Sequence, residues 1–292
     1  MTILLTGATG QVGHELLRSL RPFGELVAPT RAQLDLADSA QLRATVRALK
    51  PSLIVHPAAW TDVDGAERDP ALAMRINADA PAVLAEEAKR LGVPLVHFST
   101  DHVFDGAASQ PYTERDTPAP VNAYGCSKLA GEQAIAASGC AHLILRTAWV
   151  YGLRGRNFLL AILRQAQTND VLRVVDDQFG SPTWCRTVAD VTAELLARAR
   201  AAPDANAWWA EHGGVLHASA RGGASRAAFA RRILANAGLA ERVTVIGVDS
   251  ASYAAPAARP RYAVLDTARL QRLVAVPAWD DALRQCQAVS PD

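Results

Sequence analysis

Short apolar runs alternate with amphipathic stretches through the first half of the chain. Residues 3–6, 25–28, 53–56, 95–99 and 143–147 have the length and content of buried strands. Between them, apolar residues recur at helical spacing over 12–20, 39–49, 69–76 and its continuation, 80–90, and 123–137. Asp38-Ser39 reads as a helix start and Lys50-Pro51 as a stop. Strands alternating with helices in this way predict βαβ units, hence an α/β fold: a Rossmann-type, doubly wound parallel sheet with helices on both faces.

The pattern loosens beyond about residue 150. Residues 158–167, 188–200 and 226–237 read as helices, 171–175 and 243–248 as short strands, and 203–209 and 252–260 as loops. The expected organisation is a dinucleotide-binding domain over 1–150 and a smaller substrate-binding region over 151–292, part of which can cross back to the sheet. The stretch Gly222-Gly223-Ala224-Ser225-Arg226 follows no clear strand, so it reads as a helix start capped by Ser225 rather than a phosphate cradle. Trp208-Trp209 has no chemistry around it and reads as a packing patch or a subunit contact.

Composition narrows the class. Half of the 292 residues are hydrophobic and a fifth are charged, which suits a globular chain with a substantial core. A formal net charge of +1 gives no electrostatic case for nucleic acid or an anionic membrane. The opening MTILLTGATG enters a strand directly, without the pattern of a signal peptide, and no run of about 18 apolar residues predicts a membrane span. Cys126, Cys140, Cys185 and Cys286 are scattered without CxxC spacing, so a disulfide framework or a structural zinc is not expected and a cytoplasmic location is.

Two local patterns carry chemistry. Gly7-Ala8-Thr9-Gly10-Gln11-Val12-Gly13 follows the first strand and opens a helix. Glycines there let backbone N–H groups approach a pyrophosphate at a helix N-terminus. The spacing is GxxGxxG, and such a turn also occurs for packing alone. The second strand ends without the acid that binds an adenosine ribose. Arg31 stands there, either to meet a 2′-phosphate, which leans the choice towards NADPH over NADH, or as a solvated charge. Asp35 and Leu36 either flank an adenine or belong to a turn.

The second pattern is Tyr124 and Lys128, four apart on a helix and so neighbours on one face, about 6 Å apart along the axis. A phenol with a pKa near 10 is a poor proton donor or acceptor at neutral pH, and a nearby ammonium favours phenolate. Only three of the 30 lysines and arginines are lysines, Lys50, Lys89 and Lys128, so a compact ammonium at 128 stands out in a chain that otherwise uses arginine. Thr100 ends the preceding strand, where ligands bind in open α/β sheets, and Asp101 follows it. Ser99-Thr100-Asp101 also fits ordinary turn chemistry.

With these residues in hand, the chain resembles the extended short-chain dehydrogenase/reductase family, most closely its dTDP-4-dehydrorhamnose reductase branch. The stretches GATGQVGHEL, HPAAWTDVDGAE, STDHVFDG, NAYGCSKLAGE, RTAWVYG, DDQFGSPT and ASYAAPAARPRYAVLDT carry the likeness, in order and nearly end to end. The resemblance implies reduction of the C4 ketone of a dTDP-linked keto sugar, dTDP-4-dehydro-L-rhamnose, by NADPH or NADH. It implies Tyr124 as proton donor, Lys128 as its tuner and ribose ligand, and Thr100 as an aid at the ketone. Gly10, Gln11 and Val12 would meet the pyrophosphate, and Ala58, Ala59, Trp60 and Thr61 the cofactor near the third strand. Asp101 and Trp149 would contact the sugar, and Gln178, Pro182 and Arg259 the nucleotide end or only the framework. Some relatives bind Mg2+; Glu15 fits such a site, yet Arg186 stands where a second carboxylate is expected, and no metal ligand is assigned. His56-Pro57 replaces Asn-Ala after the third strand, and His102 replaces a tyrosine. A homodimer is left open, as are two rivals: a reductase of another nucleotide-linked keto sugar, and a non-catalytic NADP-binding regulatory subunit.

Overall fold

The computed structural model describes residues 1–289. Its strands in chain order are β1 (Thr2–Leu5), β2 (Glu25–Val27), β3 (Leu53–His56), β4 (Leu95–Thr100), β5 (His142–Thr147), β6 (Val150–Tyr151), β7 (Val171–Val175), β8 (Phe179–Gly180), β9 (Thr183–Trp184), β10 (Gly214–His217), β11 (Ala224–Ser225) and β12 (Thr244–Val248). The helices are α1 (Gln11–Ser19), α2 (Ser39–Leu49), α3 (Val63–Arg68), α4 (Pro70–Met74), α5 (Ala80–Leu91), α6 (Ala123–Ser138), α7 (Phe158–Thr168), α8 (Cys185–Ala201), α9 (Ala205–His212), α10 (Arg226–Asn236), α11 (Ala268–Gln271) and α12 (Trp279–Ala288). A five-residue π turn, Arg75–Asp79, joins α4 to α5 without a break in helical backbone.

The central sheet has six parallel strands in the order β10-β5-β4-β3-β1-β2. Its middle strands are buried on both faces, as helices on both sides of a parallel sheet require. Alternation decides which core each residue joins. Ile3, Leu5, Leu53, Val55, Val96 and Phe98 meet Leu16 of α1 and Val188, Leu195 and Leu196 of α8. The residues between them, Leu4, Ile54 and Leu95, meet Leu42 of α2, Leu84 of α5 and Ile135 of α6 on the other side. A third core gathers Tyr151, Leu159, Phe229 and Leu283 from the second half of the chain.

Among the elements that differ from the sequence reading, two bear on the sheet and its cover. Residues 203–209 are not a loop: Asp204 accepts from Asn206 N at 2.8 Å and Ala207 N at 3.1 Å, capping α9. Trp208 of that helix is packed into the core shared by α1 and α8. The sixth sheet strand, β10, is the short segment after α9; it pairs with β5 through Gly214↔Leu143 to His217↔Arg146. Ser225 does cap α10, its hydroxyl accepting from Ala228 N at 3.0 Å.

Candidate active site

A cavity of about 620 Å³ opens at the C-terminal ends of β1, β3 and β4. Successive connections diverge to either side of β1 here, and open α/β sheets bind ligands at such switch points. It brings together Gly7, Gly10, Gln11, Val12 and Gly13, Arg31, Asp35 and Leu36, Ala58, Ala59 and Thr61, and Thr100, Asp101, Tyr124, Lys128 and Trp149.

The glycine turn is built for close approach. A Cβ at Gly13 would stand 2.0 Å from the Gly7 carbonyl oxygen, so the first turn of α1 folds back tightly on the strand end. Side chains cap α2, α3, α6, α7 and α10, from Asp38, Asp62, Asn122, Asn157 and Ser225. Helix α1 begins at Gly10 with no side-chain cap and no acid in its first turn. Its first amides therefore face the cavity with their positive dipole end uncompensated, which fits a pyrophosphate. Arg31 is exposed at the rim beyond it, and Asp35 also serves its own turn, accepting from Ala37 N at 3.0 Å.

Helix α6 supplies the tyrosine and the lysine. Asn122 caps it, its Oδ1 accepting from Gly125 N at 2.8 Å while its Nδ2 donates to the Ala258 carbonyl at 2.8 Å. Gly125 lets the helix close on the end of β4, since a Cβ there would sit 2.1 Å from the His102 carbonyl oxygen. Tyr124 is 8 % exposed and Lys128 1 %. Burial pushes the Tyr124 phenol up to about 12, opposed by hydrogen bonding from Thr100 and assisted by the Asp101 carboxylate. Burial pulls the Lys128 ammonium down to about 7, with Glu132 opposing. The sequence reading has lysine drawing the tyrosine towards phenolate; in the structure burial outweighs that, and the Lys128 hydrogen bond goes to His97 Nε2 at 3.0 Å. A phenol kept protonated is the form a proton donor needs.

On the opposite wall Trp149 adopts a left-handed backbone (φ 43°), unusual for a bulky residue and a mark of strained functional positions. Asp101 is buried, with Oδ1 accepting from the Thr100 hydroxyl at 3.0 Å and Oδ2 without a partner among the described residues. Sequence reasoning missed Arg226. Its guanidinium lies over the Trp149 ring at 4.3 Å and its Nε donates to Gln178 Oε1 at 3.0 Å. It lies 98 residues beyond Lys128, so only the tertiary fold joins them; the one available signal was its place in the first turn of a capped helix.

Four sequence-assigned residues lie outside the cavity lining. Trp60 turns its indole to the Asp62 carbonyl at 2.9 Å and packs beside Tyr124. Gln178 stands behind Arg226 as its acceptor. Pro182 lies in the buried turn between β8 and β9. Arg259 is committed to Asp64 at 2.8 Å.

The magnesium site that the resemblance left open at Glu15 does not fit. Glu15 is held by Arg186 at 2.9 Å and Arg18 at 3.3 Å, and no group of three His, Cys, Asp or Glu among the described residues is arranged to hold a metal ion. No helix among the described residues is long and apolar enough to cross a membrane.

Comparison with known proteins identifies the family. A dTDP-4-dehydrorhamnose reductase of Burkholderia thailandensis is 42 % identical, with 98 % of each chain covered. One from Escherichia coli is 37 % identical, over 98 % of this chain and 96 % of the relative. Among solved structures, a dTDP-4-dehydrorhamnose reductase of Clostridium acetobutylicum superposes with a TM-score of 0.90 at 33 % identity, covering 98 % of both chains. The Bacillus anthracis enzyme in complex with NADP gives 0.87 at 32 % identity, again over 98 % of both chains. The family model described as RmlD substrate binding domain matches residues 1–290, and the chain belongs to that family of the extended short-chain dehydrogenase/reductases.

Proposed function

We propose that this chain reduces the C4 ketone of dTDP-4-dehydro-L-rhamnose to dTDP-L-rhamnose with NADPH. The observation that carries the reading is the convergence of Thr100, Tyr124 and Lys128 on one wall of a cavity whose other end is the uncapped start of α1. NADPH, when bound, is the source of the hydride. The amides of Gln11, Val12 and Gly13 would hold its pyrophosphate, Arg31 its 2′-phosphate and Lys128 its nicotinamide ribose.

The chain's own groups do the rest. As C4 gains hydride, negative charge develops on the ketone oxygen, and the Tyr124 hydroxyl donates its proton there, leaving a phenolate beside the Lys128 ammonium. The Thr100 hydroxyl holds the same oxygen. Asp101 accepts from sugar hydroxyls, and Trp149 with Arg226 forms the wall against which the ring lies. The second half of the chain, from 151 onwards, thus supplies part of the substrate side. This reading puts the enzyme in the cytoplasm, where its four free cysteines stay reduced.

The test is to incubate the protein with the dTDP-linked 4-keto sugar and follow loss of nicotinamide absorbance with NADPH and with NADH. Turnover that depends on the sugar is expected, and Tyr124→Phe should lose at least about 100-fold in kcat while still binding NADPH. Turnover with the keto sugar of another nucleotide, and none with this one, would overturn the substrate; undiminished turnover in Tyr124→Phe would overturn the proton donor.

A further inference from the structure

A file of polar side chains runs beneath the floor of the cavity. Thr6 Oγ1 is 2.7 Å from His56 Nδ1. The His56 and His97 rings stack with centroids 5.3 Å and planes 25° apart. His97 Nε2 is 3.0 Å from Lys128 Nζ. The two histidines are register partners on β3 and β4 and are fully buried. The file begins and ends at the cavity, because Thr6 and Lys128 both line it.

Central strands of a parallel sheet ordinarily carry Val, Ile or Leu at such places. Two imidazoles there are costly, and the structure shows the cost: His56 Nε2 and His97 Nδ1 have no partner among the described residues. A buried unpaired polar atom is kept where it serves something else.

We propose that His97 is a positioning residue for the reaction: its Nε2 accepts one of the three Lys128 ammonium protons and so turns the other two into the cavity, spaced for the two vicinal hydroxyls of a nucleotide ribose. The inference rests on the dinucleotide reading of the cavity and deepens it. An accepting Nε2 requires the proton on Nδ1, so the hydrogen-bond network fixes the tautomer. A second proton on His97 would set two cations 3.0 Å apart in a buried space; burial first, then the Lys128 and His56 charges, hold its pKa well below the ordinary histidine value. Burial and Lys128 likewise hold His56 at about 3. Both rings are therefore neutral at working pH, and His97 can only accept from the ammonium. His56, tied to Thr6 and stacked on His97, fixes the plane of the accepting ring. The remaining titratable and charged groups near Lys128 are Tyr124 and Glu132 on its own helix, with Glu132 paired to Arg146 of β5 at 2.6 Å. No other hydrogen bond holds Nζ among the described residues, so without His97 no side-chain acceptor fixes where the ammonium protons point.

The experiment titrates NADPH into the full-length protein by fluorescence across a pH series, with no sugar present. The variants are His97→Leu, which removes the acceptor, and His97→Gln, whose amide oxygen reaches the place of Nε2. His97→Leu should weaken NADPH about 10-fold at about pH 6 and move the midpoint of affinity loss, which in the wild type comes as pH rises through the Lys128 value of about 7, down by about one unit, because a neutral acceptor favours the charged amine. His97→Gln should restore affinity to within about threefold, and His97→Leu should add nothing in a Lys128→Met background. Should the leucine variant not fold, His97→Met carries the same comparison. Wild-type affinity and midpoint in His97→Leu, or a glutamine variant as impaired as the leucine one, would overturn the proposal alone. Failure of the wild type to bind either nicotinamide cofactor would overturn the dinucleotide reading and this inference with it.

Discussion

Replacing Gly180 by alanine asks whether Trp149 is the sugar-facing wall of the cavity. A Cβ at Gly180 would stand 2.4 Å from Trp149 Cε2, 2.5 Å from Nε1 and 2.8 Å from Cζ2. Carbon atoms pack at about 3.5 Å, so the indole must retreat by about 1 Å. Its retreat is opposed on two sides. The Trp149 backbone is already left-handed, and the Arg226 guanidinium covers the ring at 4.3 Å while tied to Gln178. Disturbing that stack costs about 0.5–2 kcal/mol, and a shift of about 1 Å in a positioning group can cost up to about 100-fold in rate. The expected loss is about 10- to 100-fold in kcat/KM for the keto sugar, about 1.4–2.8 kcal/mol. NADPH affinity should stay within about twofold, because Gly180 lies outside the cofactor end of the cavity. Steady-state kinetics with the sugar varied at saturating NADPH, beside an NADPH titration and a melting curve, separate these effects. A kcat/KM within about twofold of wild type would refute the role given to Trp149. An equal loss of NADPH affinity would show instead that overpacking at β8 spreads through the fold.

Gly13→Ala should cost at least about 10-fold in NADPH affinity and lower the melting temperature, because its Cβ would meet the Gly7 carbonyl at 2.0 Å; unchanged affinity would refute the tight turn as the pyrophosphate cradle. Glu132→Gln leaves Arg146 buried without its carboxylate, whose oxygens accept from Arg146 Nε at 2.9 Å and Nη2 at 2.6 Å. A loss of about 3–5 kcal/mol in urea unfolding is expected, and a loss below about 1 kcal/mol would show the pair to be replaceable. Glu87 accepts from Arg47 at 2.8 Å and Arg90 at 2.7 Å, and these guanidiniums with Arg43 hold its carboxyl down at about 2. Its folded value lies below its unfolded one, so its contribution to stability is present above the ordinary carboxylate value and is lost as pH falls towards 2. Glu87→Gln should therefore flatten the acid limb of stability between about pH 5 and 2, and parallel wild-type and variant curves would refute this.

The first half of the fold was legible because each strand there is a short apolar run and each helix repeats at helical spacing. Residues 39–49 and 53–56 match α2 and β3 end to end. The pairing of Tyr124 with Lys128 was legible because helix geometry alone makes residues four apart neighbours. What escaped depended on residues far apart in sequence. Strand β10 is four residues long, follows Gly213 and opens on Gly214, so local preference argues against it; pairing with β5 overrides that preference. Helix α9 was hidden by Pro203 and Asp204, which read as turn residues although the aspartate is a cap. Arg226 looked like any arginine after a cap, and only the approach of α10 to Trp149 gives it a place in the cavity. His97 carries no local signal of its own; only the register of β3 and β4 sets it beside His56, and only the fold brings Lys128 to it.

The covering of the sheet by α8 bears on how the polypeptide reaches its final state. One face of the strands β1, β3 and β4 has its lid in residues 185–201, and the outer edge of β5 gains its neighbour only at residue 214. During synthesis the first half of the chain therefore emerges with that oily face only partly covered, by α1, and with an open row of peptide groups along β5, and the sheet is not complete until about three-quarters of the polypeptide has left the ribosome. A truncation ending at 150 should aggregate rather than behave as a stable module, because the enzyme's two ends of sequence share a single folding event.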